Sequence, residues 1–194
     1  HSPLSPQQVE ALKANGCRAD DWSRVRVAAG FDSGRVHNVQ FVGDIRLGAL
    51  RGLVDAGDGV ALPAGLTDAT VVDCELGDDV LVEHIGGHLA RYDVESGAVL
   101  TDVGALATRP GATFGNGVRV ETINEGGGRE VALFAELSSQ FAYLMAMHRH
   151  SPGLVERLEA MVSAYTARAT SNRGRIGAGA RIAHVGQLVD VNVG

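Results

Sequence analysis

The sequence predicts an all-β solenoid, a parallel β-helix carrying an N-terminal capping helix and an inserted α-helical hairpin. Composition is the first reason. Apolar residues make up 45% of the chain but aromatics only 5%, and glycines number 26, so the core is built from Val, Leu, Ile and Ala around many tight turns. Spacing is the second. Four segments place apolar or small residues at offsets 0, 4, 6 and 9: Leu76, Val80, Val82, Ile85; Val94, Ala98, Leu100, Val103; Phe114, Val118, Val120, Ile123; and Ile176, Ala180, Ile182, Val185. Three of them open on an apolar residue followed by glycine, at Leu76-Gly77, Phe114-Gly115 and Ile176-Gly177. An α-helix repeats in steps of three and four and a plain antiparallel strand in steps of two, so this order reads as short strands separated by corners.

Taken in order, residues 1–30 form the N-terminal cap. Ser5 can cap the amides of a short helix, Pro6 sits where its missing N–H costs little, Val9 and Leu12 give the helix an apolar face, and Asn15-Gly16 stops it. Fainter repeats follow at Gly30, Gly34, Val36, Val39 and at Gly65, Ala69, Val71, Cys74. The 18-residue interval from Leu76 to Val94 suits one turn of three short strands, and the 20-residue interval to Phe114 another with a bulge. An ordinary sandwich or barrel is the alternative, but its strands would show more period-two alternation. From Glu130 the spacing turns helical, through Leu133, Phe134, Leu137, Phe141, Leu144 and Met145; Ser151-Pro152 then opens a second run with Leu154, Leu158, Met161, Val162 and Tyr165. Residues 130–172 are therefore expected as a helical hairpin inserted into a single domain spanning 1–194. The repeat resumes at Ile176 and meets no cap before Gly194, which predicts a solenoid continuing beyond this point; His1 in place of an initiating Met predicts processing.

The net charge is −6, from 17 Lys plus Arg against 23 Asp plus Glu, and no basic run marks a nucleic-acid footprint. A nucleotide or coenzyme stays open as a partner, since backbone amides and a few arginines can hold phosphate in an acidic protein. Cys17 and Cys74 are too few for a disulfide framework and form no zinc-type pair. With no 18-residue apolar run and no signal-peptide pattern, the expectation is a cytoplasmic protein without a membrane partner.

The copies at Leu76-Gly77, Phe114-Gly115 and Ile176-Gly177 resemble the hexapeptide-repeat family of left-handed parallel β-helices, rich in acyltransferases and in accessory domains of sugar nucleotidyltransferases. Asn15-Gly16-Cys17-Arg18, Asp21-Trp22-Ser23, Gly43-Asp44-Ile45-Arg46-Leu47-Gly48, Asn124-Glu125-Gly126-Gly127-Gly128-Arg129-Glu130 and His148-Arg149-His150 look more closely like an uncharacterised bacterial family of longer hexapeptide-repeat proteins with a domain of unknown function. The left hand comes from this resemblance alone, because the general crossover preference is right-handed. The resemblance also implies a homo-oligomer, a trimer above others, with ligands between neighbouring copies. No catalytic residue is carried over from it.

Two segments are candidates for chemistry. Asn124, Glu125, Gly126, Gly127, Gly128 and Arg129 stand where the repeat gives way to the helices; three glycines can build an anion nest, Arg129 can grip phosphate or carboxylate, and Asn124 and Glu125 can read hydroxyls. The alternative is an exit turn with Arg129 paired to Glu125 or Glu130. At the boundary between the helices, His148 is the first candidate base and His150 the second, with Arg149 as anion holder; the alternative is a cluster that satisfies helix-terminal carbonyls. The i, i+2 spacing of the two histidines makes no common metal face, so no metal site is predicted.

His84 and His184 share one repeat phase with Asp102, Thr122, Asp73 and Asn38, which reads as a polar edge that either binds ligand or faces water. Asp44, Arg46 and Arg51 can form a small charged pocket or simple surface pairs, and Trp22 reads as an anchor for the cap. Two functions fit. One is a transferase-related activity on a small sugar, sugar nucleotide or acyl donor, with a nucleotide sugar or acyl-coenzyme as ligand; the other is a noncatalytic module that trimerises a longer protein. The sequence specifies no cofactor and leaves open whether the protein is an enzyme.

Overall fold

The computed structural model describes residues 1–57, 59–122 and 126–194. It divides into two compact units, one of His1–Pro110 with Asn172–Gly194 and one of Gly111–Ser171.

The first unit is built on two sheets. Six strands form the first in the order Ser2–Pro3, Val25–Val27, Ile45–Leu47, Glu75–Leu76, Tyr92–Val94, Gly174–Ile176. All of its pairings are parallel except that of Ser2–Pro3 with Val25–Val27. The second sheet runs Arg18–Ala19, Val36–Val42, Gly65–Val72, then Leu81–Ile85 and Leu89–Ala90 both flanked by the same two neighbours, then Val99–Ala107 and Arg181–Val189, all parallel. Along the chain these strands alternate between the two sheets, except that Leu81–Ile85 and Leu89–Ala90 follow each other in the second. One aliphatic core includes Val36, Leu66, Val82, Leu100 and Ile182 from the second sheet and Ile45, Leu47, Leu76, Val94 and Ile176 from the first.

Helix α1, Pro6–Ala14, starts on a reciprocal cap: Gln8 N–H donates to Ser5 Oγ (3.2 Å) and Ser5 N–H to Gln8 Oε1 (2.9 Å). Its Leu12 is fully buried in the core. Trp22 packs edge-on against Phe41 at 6.3 Å. An antiparallel pair, Leu53–Gly57 with Val60–Pro63, lays Val54 and, just beyond it, Ala64 against Leu81 and Val99.

In the second unit, Arg119–Val120 pairs antiparallel with Val131–Ala132. Helices α2 (Ser139–Met147) and α3 (Pro152–Ala169) follow, and Ser138 Oγ caps α2 by accepting from Phe141 N–H at 3.1 Å. Val131, Met145, Leu158 and Val162 make a small core joined by Phe134 and Phe141. Buried Asn116 ties the unit's loops, donating to Thr113 O (2.6 Å) and accepting from Ala135 N–H (2.9 Å).

These findings correct the expected fold class. The chain is not an all-β solenoid or a left-handed parallel β-helix: it is mixed α/β, with three α-helices and, among the described residues, strands distributed over four separate sheets, two of them antiparallel pairs. The offsets mark inward positions on adjacent parallel strands, with Leu76 beside Val94 and Val94 beside Ile176, and Val82 beside Leu100 and Leu100 beside Ile182. Such spacing arises wherever short strands alternate between two faces of one core, so it does not specify a single coiled sheet. The copy at Phe114 fails outright. It lies in the second unit, Val118 is 51% exposed, Val120 belongs to an antiparallel pair, and Ile123 lies outside the described residues. Its glycines serve turns, since Gly115 and Gly117 have φ of 80° and 83°.

Candidate functional site

Along the second sheet, each of five strands places one non-glycine residue in the left-handed region: Asn38 (φ 51°), Asp68 (51°), His84 (53°), Asp102 (52°) and His184 (56°). Asn, Asp and His tolerate this region better than other side chains because their short polar groups can bond locally. Parallel register then stacks them. Val39 pairs with Ala69, Glu83 with Thr67 and Thr101, and Val103 with Val185, so the five kinked residues fall in one row.

The row is a ladder of alternating groups. Asn38 Nδ2 donates to Asp68 Oδ1 at 2.6 Å. His84 lies between two carboxylates, with Nε2 3.8 Å from Asp68 Oδ2 and Nδ1 3.3 Å from Asp102 Oδ1. His184 Nδ1 is 3.3 Å from the other oxygen of Asp102. A distance of 3.8 Å is too long for a hydrogen bond, whereas a proton on Nδ1 can be oriented by Asp102. That assignment leaves the Nε2 lone pair open toward Asp68. The His84 side chain is 60% exposed, so water and small solutes reach it.

Beside the ladder is an open groove of about 580 Å3. Arg18, Gln40 and Thr70 line one side, Asn38, Asp68 and His84 the other, and Gly86 and Gly87 reach into it. Among the described residues, no set of three His, Cys, Asp or Glu side chains is arranged to hold a metal ion. The arrangement can accept and donate hydrogen bonds at several points and can take a proton at His84.

The other candidates distribute differently. Asn124 and Glu125 lie outside the described residues. In the glycine turn, Gly126 is exposed, and Gly127 and Gly128 adopt φ of 74° and 86°. The Gly128 N–H donates to Glu130 Oε1 at 2.8 Å, so the chain's own carboxylate occupies that amide. This bond leads the causes that hold the Glu130 carboxyl below its ordinary pKa. Arg129 is exposed and accepts at its carbonyl from Thr122 Oγ1 (2.8 Å). Arg149 reaches the same turn, donating to Glu130 O at 2.6 Å and lying 3.8 Å from Glu159, which Arg119 also contacts at 2.6 Å. His148 ends α2 and sits edge-on to Tyr143, with its ring 5.9 Å from Tyr143 and 5.4 Å from His150. The structure thus brings His148 to His150 and Arg149 to the glycine turn within the second unit. It joins His84 to His184 through Asp102 in the first.

Asp44, Arg46 and Arg51 bond to different partners. Arg24 holds Asp44 with two hydrogen bonds (3.1 and 2.9 Å), Arg46 pairs with Glu75 (3.2 Å), and Arg51 donates to Gly30 O (2.8 Å). Two members of the predicted polar edge also move. Asp73 lies at another corner, accepting from Asp44 N–H at 2.9 Å, and Thr122 belongs to the second unit. Asp68, which the sequence reading missed, takes Asp73's place, because the copy at Gly65 is out of phase with the strand register. A local signal was present: an aliphatic residue, any residue, then Asn, Asp or His, then a small or aliphatic residue. It recurs as Val36-His37-Asn38-Val39, Leu66-Thr67-Asp68-Ala69, Val82-Glu83-His84-Ile85, Leu100-Thr101-Asp102-Val103 and Ile182-Ala183-His184-Val185.

The first unit therefore defines a class of protein in which stacked parallel strands present an imidazole–carboxylate row beside an open groove. The chain belongs to the family described as Domain of unknown function (DUF4954), which it matches over residues 1–194. It is similar to an "Uncharacterized protein" of Treponema pallidum (strain Nichols), 28% identical over 170 residues that cover 82% of this chain and 23% of the relative's length. No solved structure matches. Among the described residues, no helix is long and apolar enough to cross a membrane.

Proposed function

We propose that the groove beside the ladder binds a small sugar or sugar nucleotide, and that the protein has a transferase-related activity in which His84 is the base. The observation that carries this reading is the placement of His84 between Asp68 and Asp102 at the groove wall. Asp102 orients Nδ1–H, and Nε2 takes the proton of an acceptor hydroxyl or amine as that atom bonds to the anomeric carbon of a sugar nucleotide, whose bond to the diphosphate breaks with its electron pair leaving on the diphosphate oxygen. Asn38, Gln40 and Thr70 read neighbouring hydroxyls, and Arg18 offers the cation for a phosphate. The 3.3 Å separation is loose, as catalytic hydrogen bonds commonly are before substrate arrives.

Histidine ring NMR during titration with a panel of sugar nucleotides and acetyl-coenzyme A tests this. Resonances of His84 and His184 are expected to move with at least one probe, and His84→Gln is expected to lower any turnover by about 10²–10⁴-fold. Shifts confined to His148 and His150 would overturn the assignment.

A further inference from the structure

Two hydrogen-bond acceptors face each other at the groove wall. Asn38 Nδ2 donates to Asp68 Oδ1 at 2.6 Å, and the other carboxylate oxygen, Oδ2, is the one nearer His84. With its proton on Nδ1 beside Asp102 Oδ1 (3.3 Å), His84 presents a lone pair at Nε2. Nε2 and Asp68 Oδ2 stand 3.8 Å apart, too far to bond to each other. In this state neither atom carries a hydrogen, so the gap between them is filled best by a group that donates two. Asn38, Asp68 and His84 all line the groove, so a ligand bound there reaches both acceptors.

That gap discriminates between nucleophiles. A hydroxyl has one hydrogen. When it gives that hydrogen to Nε2, as the base step requires, its oxygen lone pairs face the Asp68 carboxylate and the two repel. A primary amine has two hydrogens, and three as the ammonium ion. A nitrogen about 2.9 Å from both acceptors sees them about 80° apart, so two of its N–H groups reach both along bonds about 20° from linear, inside the favourable range. The charges of Asp68 and Asp102 also attract the ammonium form into the groove.

We propose that Asp68 determines acceptor specificity, selecting a primary amine, such as that of an amino sugar, over a hydroxyl. The inference rests on the groove reading above and narrows its acceptor class. The amine lone pair forms the bond to the anomeric carbon, and the carbon–oxygen bond to the diphosphate breaks with its electron pair on the diphosphate oxygen. One amine hydrogen passes as a proton to His84 Nε2, and the other stays donated to Asp68 Oδ2, so the product is a neutral nitrogen glycoside. Asn38 is a positioning residue, because its bond to Oδ1 keeps Oδ2 on the gap.

The test is histidine ring NMR of the whole chain, titrated with glucosamine, galactosamine and mannosamine and, separately, with glucose, galactose and mannose, alongside the sugar-nucleotide panel. At least one amino sugar is expected to shift the His84 resonances at a concentration about tenfold or more below its hydroxyl counterpart, the margin of one further hydrogen bond to a charged group. Asp68→Asn keeps the shape of the side chain but removes its charge and one acceptor, and is expected to abolish that margin. Glu83→Gln removes the carboxylate next to His84 in the chain without altering the gap, and is expected to retain it; circular dichroism verifies the fold of both variants. A hydroxyl sugar that shifts His84 as readily as its amino counterpart would overturn the amine selection and spare the groove. Failure of every sugar and sugar nucleotide to move His84 would overturn both. A margin that survives in a folded Asp68→Asn protein, or that falls equally in Glu83→Gln, would overturn the role of Asp68.

Discussion

Substituting Gly104 by Ala tests whether the second sheet is as closely stacked as its register requires. The new methyl carbon would stand 2.0 Å from Gly186 O and 3.0 Å from Gly186 C, where a carbon–oxygen contact needs about 3.3 Å. The strands Val99–Ala107 and Arg181–Val189 must then part locally by more than an ångström. Such overpacking costs about 1–3 kcal/mol. Displacing Gly104 also disturbs two adjacent bonds, Gly86 N–H to Val103 O and Leu106 N–H to His88 O, both 2.9 Å, each contributing about 0.5–1.5 kcal/mol. The sum is about 2–6 kcal/mol, partly offset by the lower entropy of the unfolded alanine chain. Urea unfolding followed by circular dichroism reads this as a midpoint lowered by about 1–3 M if m is about 2 kcal/mol/M. Gly186→Ala is the control: with nothing within 4 Å of its Cβ, it is expected to stay within about 0.5 kcal/mol of the parent. A Gly104→Ala protein as stable as the parent, or a control equally damaged, would refute the reasoning.

Burial pushes the Cys74 thiol up to about 11, and burial raises Cys17 as well. Both thiols are therefore expected to resist iodoacetamide at pH 8 in the native protein and to react once denatured, read by mass spectrometry. Asn116→Ala removes a buried amide with partners on two loops; a loss of about 1–3 kcal/mol is expected in thermal or chemical unfolding. The Arg24 guanidinium holds the Asp44 carboxyl below its ordinary value of 3.8. Asp44 therefore favours folding above that pH and loses the contribution as pH falls through its depressed midpoint. Carboxyl NMR should show that midpoint rising toward 3.8 in Arg24→Ala.

What the sequence made legible was mostly periodicity. Phe141, Leu144 and Met145 recur at helical spacing in α2, as do Leu154, Leu158 and Val162 in α3, and the offsets of Leu76, Val94 and Ile176 coincide with neighbours in one parallel sheet. Architecture was less legible, because an inward aliphatic looks the same whether its strands form one coiled sheet or alternate between two. Phe114 shows the cost: an apolar residue before glycine marks a corner in either unit, and only tertiary pairing tells which. At the candidate site, His84, Asp102 and His184 were readable as a shared phase, but Asp68 was hidden by the shifted copy at Gly65. The partners of His148 and Arg149 depend on contacts between separate elements, which spacing along the chain does not encode.

The pairing of Val99–Ala107 with Arg181–Val189 has a kinetic consequence. Earlier neighbours in that sheet are separated by short connections, so they can zip together as soon as both are present. This last pairing must wait for the whole intervening unit to be made and its ends drawn together. Loop-closure entropy grows only slowly with length, about 0.6 kcal/mol per doubling, so the delay is set less by thermodynamic penalty than by order of events. During synthesis, Val99–Ala107 is exposed as a sticky edge until its mate arrives. How long that edge stays bare governs how much of the chain escapes aggregation.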